Sequence, residues 1–248
     1  MYPRFYCTED IIVGHSIELP ADIEHHATRV LRLRSGDRIT LFNNKGGEFL
    51  AQITHISKSK TTALINEYHA IERESPLIIE LVQAICINEK MDWIIQKTVE
   101  LGVTHIFPVT THRSIVHLTN ERAIKRLQHW QKIAISACEQ SGRNHVPQIS
   151  PLMSLSDWSN QKNMNKTSQN LGFMLSTTAE KSLTHFQKPP LNTVLTLLVG
   201  PEGGLTQEEE IAILHTGFIP LRLGKRILRT ESAALATIAA MQALWGDY

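Results

Sequence analysis

The chain has 248 residues, of which 42% are hydrophobic and 20% charged, enough apolar material for one or two packed domains and too much for wholesale disorder. Its three cysteines, Cys7, Cys86 and Cys138, are odd in number and far apart, which argues against a disulfide scaffold or a cysteine-based zinc site and fits a reducing, cytoplasmic setting. The opening stretch has no apolar h-region and no run approaches a membrane span, so a cytoplasmic protein without membrane contact is expected. The net charge is only +1, so any affinity for nucleic acid must come from local clusters. The first seventy or so residues read as β-rich. Arg38–Asn43 and Glu48–Ile53 are strand-like around a hairpin loop, Asn43–Gly47, and Thr61–Tyr68 follows; this spacing predicts a small barrel. Ala21–Leu33 carries a short helix. The charged run Glu72-Arg73-Glu74-Ser75-Pro76 marks the boundary, giving domains at 1–73 and 74–248.

Beyond Pro76 the rhythm changes. Leu77–Ile87 is a nearly unbroken apolar run, as expected of a strand covered on both faces. Met91, Ile94, Ile95, Thr98 and Val99 have helical spacing, and Gly102 ends that helix. His105–Val109 is a strand. Asn120–Gln140 is a long helix with Ile124, Leu127, Ile133 and Ala134 on one side. Asp157–Asn170 reads as a polar surface loop. Leu171–Thr177, Thr193–Gly200 and Phe218–Leu223 are strands, Thr206–His215 is a helix opened by a capping box, and Glu231–Trp245 is an Ala-rich helix. Strands alternating with helices predict an α/β layer with a mostly parallel sheet.

Two segments carry ligand-like chemistry. In Leu197–Leu205 an apolar strand enters Gly200-Pro201-Glu202-Gly203-Gly204 and then a capped helix. Glycines beyond a strand end let a ligand approach the backbone, but Pro201 and Gly203 also suit the second and fourth positions of a type I turn, and both readings stand. The loop is neither a dinucleotide fingerprint nor a P-loop. In Leu221–Ala233 a strand again ends in glycine and Thr230 is placed to cap the last helix. Ile227 and Leu228 there either plug the core or wall an apolar slot. Between His112 and His145, six cations (Arg113, Arg122, Lys125, Arg126, Lys132, Arg143) face two acids (Glu121, Glu139). Arg4, Arg29, Arg32 and Arg34 decorate the first domain. Such clusters neutralise phosphates, although Arg122, Lys125 and Arg126 suit a solvated helix face. Glu139-Gln140-Ser141-Gly142-Arg143 is either a capped helix end or a substrate-facing polar cluster. The histidines lack metal spacing, so no metal is expected, and Ser232 lacks a G-x-S-x-G context.

Taken together these segments resemble one family. They include Arg4-Phe5-Tyr6, His26 with Arg29-Val30-Leu31-Arg32, Lys90–Lys97, Glu100-Leu101-Gly102-Val103, Arg113-Ser114 and Glu139–Arg143. Gly200–Gly204, Leu223-Gly224, Arg226–Glu231 and Trp245-Gly246-Asp247 complete the match, which runs along nearly the whole chain in order. The sequence is similar to the RsmE family, the 16S ribosomal RNA uridine-N3 methyltransferases of the SPOUT superfamily; Ser232 stands where a threonine is usual. The resemblance implies a small PUA-like RNA-binding β-barrel domain followed by a SPOUT methyltransferase domain with a C-terminal trefoil knot, S-adenosyl-L-methionine as cofactor, a homodimer, and 16S rRNA of the small ribosomal subunit as partner. The implied cofactor site is Leu175, Ser176, Thr177, Val199, Gly200, Pro201, Glu202, Gly203, Leu223, Gly224, Arg226, Ile227, Leu228, Arg229, Thr230 and Ala233. Arg4, Arg29, Arg32 and Arg113 are the expected RNA contacts. Uracil N3 must lose a proton before it can attack, which makes Glu139 the candidate base and Arg143 the candidate stabiliser. A non-catalytic RNA-binding assembly factor is the competing class, and two ligand-like loops at strand ends argue against it. A ribose 2′-hydroxyl or purine nitrogen as acceptor is set aside on the resemblance alone.

Overall fold

The computed structural model describes residues 2–57, 60–116, 120–164 and 169–248. The chain divides into two compact units, Met1–Glu74 with Ile135–Val146, and Ser75–Ala134 with Pro147–Tyr248. In the first, β1 (Arg4–Tyr6), β2 (Ser16–Glu18), β3 (Arg38–Phe42), β4 (Glu48–Ile56) and β5 (Thr61–His69) form a sheet in the order β1-β3-β4-β5-β2. β1 lies parallel to β3, and the other pairs are antiparallel. β1 and β2 have three residues each, too few for alternation to announce them. In β5 the alternation is plain: Thr61, Ala63 and Ile65 point inward. Ala63 and Ile65 join Phe5, Ile39, Leu41, Ala51 and Ile53 in a core completed by Ile23 and Ala27. The last two come from α1 (Ala21–His25), the short helix expected within 21–33, and from the π-helical turn (His26–Val30) that continues it.

In the second unit β6 (Ile78–Ala84), β7 (Val103–Thr110), β8 (Gln148–Ile149), β10 (Asn170–Leu175), β11 (Val194–Val199) and β12 (Ile219–Leu221) run parallel in the order β12-β10-β11-β6-β7-β8, with β9 (Met153–Ser154) beside β7. The helices are α2 (Asn88–Glu100), α3 (Asn120–Ser141), α4 (Leu155–Met164), α5 (Gln207–His215) and α6 (Thr230–Trp245), α3 passing into the first unit at Ile135. None of the described helices is long and apolar enough to cross a membrane. α2 buries Met91, Ile94, Ile95, Thr98 and Val99, as their spacing predicts. α3 departs in part from expectation: of the predicted face Ala134 is fully buried but Ile124 is 58% exposed, and the buried stripe is Trp130, Ala134, Ala137 and Cys138, with helical spacing. The expected loop over 157–170 begins instead as α4. Leu155 and Trp158 bury there, and Ser154 Oγ accepts the Asp157 N–H at 3.0 Å as the helix starts; residues 165–168 of that stretch lie outside those described. Pairing of Val199 with Gln83, Leu198 with Met174 and Leu175 with Leu221 brings four neighbouring strands to an end at one level.

The first unit is organised around a buried charge cluster. Arg4, 7% exposed, pairs with Glu48 and lies over the Phe42 ring, 5.1 Å from its centroid. Its Nη2 donates to Asn144 Oδ1 at 2.7 Å, to the Gly142 carbonyl at 3.2 Å and to the Arg143 carbonyl at 3.3 Å. Arg73 reaches the same Glu48 carboxylate at 2.8 Å, and Arg143 pairs with Glu74 at 2.6 Å. Burial alone would push the Glu48 carboxyl up, but hydrogen bonds from Arg73 and Arg4 outweigh it and hold it below the usual range. A carboxylate lowered in this way contributes stability that is present above its unfolded pKa of about 4.3 and is lost as pH falls through the folded value. Arg4→Met should therefore destabilise the protein by about 3 kcal/mol in urea unfolding near neutral pH. The difference from wild type should narrow as the pH is taken below about 4, where protonation of Glu48 removes the pair.

Candidate functional site

Parallel strands all end on one side of a sheet, and the loops leaving them there can enclose a ligand. The segments that follow β10, β11 and β12 do so around a cleft of about 680 Å³, a volume suited to a small molecule. All of the cofactor residues expected from the motifs, from Leu175 through Ala233, line this one cleft, and so does Arg113.

The glycine-rich loop after β11 is held at several points. The Gly204 N–H donates to the Pro201 carbonyl at 2.9 Å and Gly204 has φ +69°, so the turn is centred on Glu202 and Gly203, one residue later than the type I reading placed it. Arg113 Nη1 donates to the carbonyls of Gly203 at 3.0 Å and Leu205 at 3.2 Å. A Cβ on Gly203 would stand 3.3 Å from the Arg113 Cβ, a tight approach at which Arg113 would have to give by a few tenths of an ångström. Past the turn, Thr206 and Glu209 form the expected capping box, and Glu209 also accepts the His112 N–H at 2.8 Å. Lys90 Nζ lies 3.1 Å from Glu202 and 3.8 Å from Glu231. Burial raises the Glu202 carboxyl, but its own backbone N–H, Lys90 and the Ile87 N–H together bring it below its ordinary value, so it remains an anion.

Thr230 does not cap α6. Arg229 occupies the cap position without a side-chain bond, and Thr230 is the first helical residue. Its hydroxyl donates to the Gly200 carbonyl at 2.7 Å and accepts from Gln83 Nε2 at 3.1 Å, tying β6, the glycine loop and α6 together. Beyond β12, Ile227 is 81% exposed on the cleft wall, which excludes the reading that it plugs the core. Cys86, close to Glu202, is pushed up to about 12, mainly by burial, and is no nucleophile near neutral pH.

The remaining expected residues lie in the first unit. Arg29 and Arg32 are exposed, Arg32 with φ +55° just after the π-helical turn. Arg4 and Arg143 are corrections: at 7% and 4% exposure their guanidinium groups are engaged with Glu48, Asn144 and Glu74, which leaves neither presented to RNA or substrate. Glu139 takes the Tyr6 N–H on Oε1 at 3.1 Å, and neither it nor Arg143 lines the cleft. Sequence reasoning passed over Gln83, Lys90 and Glu210. A glutamine inside the apolar run Leu77–Ile87 was the available signal for Gln83, because a strand buried on both faces keeps a polar side chain only where it has a partner. Lys90 and Glu210 had no comparable mark, each being an ordinary charge in the first turn of a helix.

Comparison with known proteins bears directly on this arrangement. The family described as "RNA methyltransferase domain" matches residues 73–242, and that described as "RNA methyltransferase PUA domain" matches residues 19–65. The chain is thus an RNA methyltransferase, and the first match covers all of its parallel α/β unit up to residue 242. A Ribosomal RNA small subunit methyltransferase E of Buchnera aphidicola is 36% identical, covering 99% of this chain and 95% of that one. Its counterpart from Bacillus subtilis is 32% identical over 88% and 86%. The chain belongs to the ribosomal RNA small subunit methyltransferase E family. Among solved structures it resembles the Neisseria gonorrhoeae member bound to S-adenosyl methionine, 44% identical with a TM-score of 0.92 over the whole of both chains. A putative methyltransferase of Legionella pneumophila, in complex with the same cofactor, gives 35% and 0.93 over the whole of both chains.

The threonine relay makes a quantitative demand. Thr230→Val keeps the shape but leaves the Gly200 carbonyl and the Gln83 amide without their shared partner. Thermal unfolding should show a loss of roughly 1–3 kcal/mol, and Thr230→Ser should recover most of it.

Proposed function

We propose that this protein transfers the methyl group of S-adenosylmethionine to N3 of a specific uridine in 16S ribosomal RNA. The observation that carries the reading is the convergence of three strand-end segments on one cleft, in a chain of this family. The donor set suits the cofactor. Glycines at 200, 203, 204 and 224 line the cleft with bare backbone, Val199 and Leu228 supply apolar wall, and the volume matches a nucleoside-sized ligand. The relatives from N. gonorrhoeae and L. pneumophila hold that cofactor. When bound, it supplies a methyl group already activated on a sulfonium. The chain must then hold the uracil ring in line, at roughly 3–3.5 Å for a near-attack geometry. Because N3 lies on the pairing edge, the target base must be unpaired or flipped out.

In this reading residues 1–73 are a PUA-like RNA-binding domain with Arg29 and Arg32 as phosphate contacts. Residues 74–248 are a SPOUT domain whose C-terminal segments form the trefoil knot, and the enzyme works in the cytoplasm as a homodimer. Glu139 is the candidate general base. Burial raises its carboxyl, outweighing the Tyr6 N–H that stabilises the anion, and a raised carboxyl is better matched to proton abstraction near neutral pH. The direct test of the reading is mass spectrometry of small-subunit RNA nucleosides from cells lacking the protein: 3-methyluridine should disappear and return with it. Unchanged 3-methyluridine would remove the assignment, and loss of a different methylated nucleoside would move the acceptor.

Two variants probe the parts. Gly203→Val should abolish cofactor binding in calorimetry while circular dichroism shows a folded protein, because a branched side chain must displace Arg113 or fill the cleft. Glu139→Gln should retain the bond to Tyr6 and both ligands, and lower the single-turnover rate at saturation by roughly 10²–10⁴-fold. Where methyl transfer is the slow step, the wild-type rate should rise with pH through the base's titration, and the variant should lose that limb. A normal saturated rate would leave Glu139 holding Tyr6 and nothing more.

A further inference from the structure

The segment joining β12 to α6 reads Arg222-Leu223-Gly224-Lys225-Arg226-Ile227-Leu228-Arg229, with four cations and no acid in eight residues. All of these residues line the cleft. Arg222 is turned back on its own loop, its Nε donating to the Gly224 carbonyl at 2.8 Å. Lys225, Arg226 and Arg229 are exposed, and their side chains make no hydrogen bond or ion pair with any described residue. Between them Ile227 stands 81% exposed. This is the reverse of Arg4 and Arg143, whose charges are met inside the fold.

We infer that this lip binds the RNA strand on either side of the target base: Lys225, Arg226 and Arg229 take its phosphates and Ile227 packs against an unstacked base. The inference deepens the proposed function and rests on it for the identity of the strand. It also moves the side chains of Arg226, Ile227 and Arg229 from the cofactor to the RNA, leaving the segment's backbone to the cofactor. The physical argument is one of number and exposure. A cofactor with a single carboxylate matches one cation, whereas three neighbouring cations paired with neither of the cleft's acids, Glu202 and Glu210, set up a local positive potential that a polyanion neutralises. An apolar side chain exposed among cations gains by being covered, and the face of an unpaired base offers apolar cover beside a charged backbone.

The experiment compares wild type with Lys225→Ala/Arg226→Ala/Arg229→Ala and with Ile227→Ala. Each is titrated with a small-subunit rRNA transcript over a series of salt concentrations, and separately with S-adenosylmethionine by calorimetry. The triple variant should bind the transcript more weakly, with the slope of log K against log salt shallower by about two to three units, close to 0.7–0.9 per lost contact. Ile227→Ala should weaken RNA binding at an unchanged slope. Both should bind S-adenosylmethionine within about twofold of wild type, a fold-change expected of side chains outside the cofactor's contacts. RNA affinity and slope equal to wild type in the triple variant would overturn the inference. So would a loss of cofactor affinity of about tenfold or more, which would return these side chains to the cofactor. Because the altered side chains are exposed, misfolding is not expected; if the triple variant is unstable, Lys225→Ala, a single change, should make the slope shallower by about 0.7–0.9, and an unchanged slope there would equally overturn the inference. Failure of the underlying reading shows separately, as wild-type protein that binds the transcript with the full slope yet binds no cofactor at millimolar concentration.

Discussion

The hydroxyl of Thr230 holds three parts of the second unit at one point. It donates to the carbonyl of Gly200 as the chain leaves β11, and it accepts from the amide of Gln83 at the end of β6. The parallel register sets Val199 beside Gln83, so the two partners arrive at the same level of the sheet and the first turn of α6 closes over them. Gln83 is fully buried, and its Nε2, which would be costly to leave unbonded there, is met by Thr230 and the Ala84 carbonyl. The glycine loop is consequently held at its base by Thr230, at its far side by Arg113, and through Glu202 by Lys90. A loop anchored at three places presents its backbone to a ligand without having to be ordered by it, which is the physical meaning of a preorganised site.

The distribution of arginine follows a similar logic in the opposite sense. In the first unit the expensive step of burying Arg4 is offset because Glu48, Asn144, two backbone carbonyls and the Phe42 ring all meet it. Arg73 shares the same carboxylate, so the cluster holds one anion between two cations. The cleft of the second unit is lined by two acids, Glu202, which faces Lys90, and Glu210 in the first turn of α5, and neither pairs with the cations of the segment after β12. The cations of the segment after β12 therefore keep their charge toward solvent. A net charge of +1 conceals both arrangements, because a total says nothing of which charges are paired.

How much could be read beforehand depended on whether a feature is local. The helical spacing of α2, the capping box of α5 and the alternation of β5 are set by residues within a few positions of one another, and all three are found where the pattern places them. The cleft was also within reach, because a strand that ends in glycine and proline before a capped helix carries its own signal. α4 and the stripe of α3 were not. Leu155 and Trp158 are helical because the core needs them buried, and the face that α3 buries was decided by its neighbours rather than by its period.

By itself, then, the sequence determined the longer strands and helices, the parallel layer and two of the loops at its strand ends, since these follow from periodicity, caps and glycine; the third, after Leu175, came only from the family resemblance. Only the tertiary structure decided what each polar side chain does. Arg4 meets Glu48 across 44 positions and Asn144 across 140, and Thr230 meets Gln83 across 147. An arginine near the N-terminus and an arginine in a loop look alike in a sequence. Burial against a distant carboxylate makes the first structural, and exposure beside a cleft leaves the second available to a ligand.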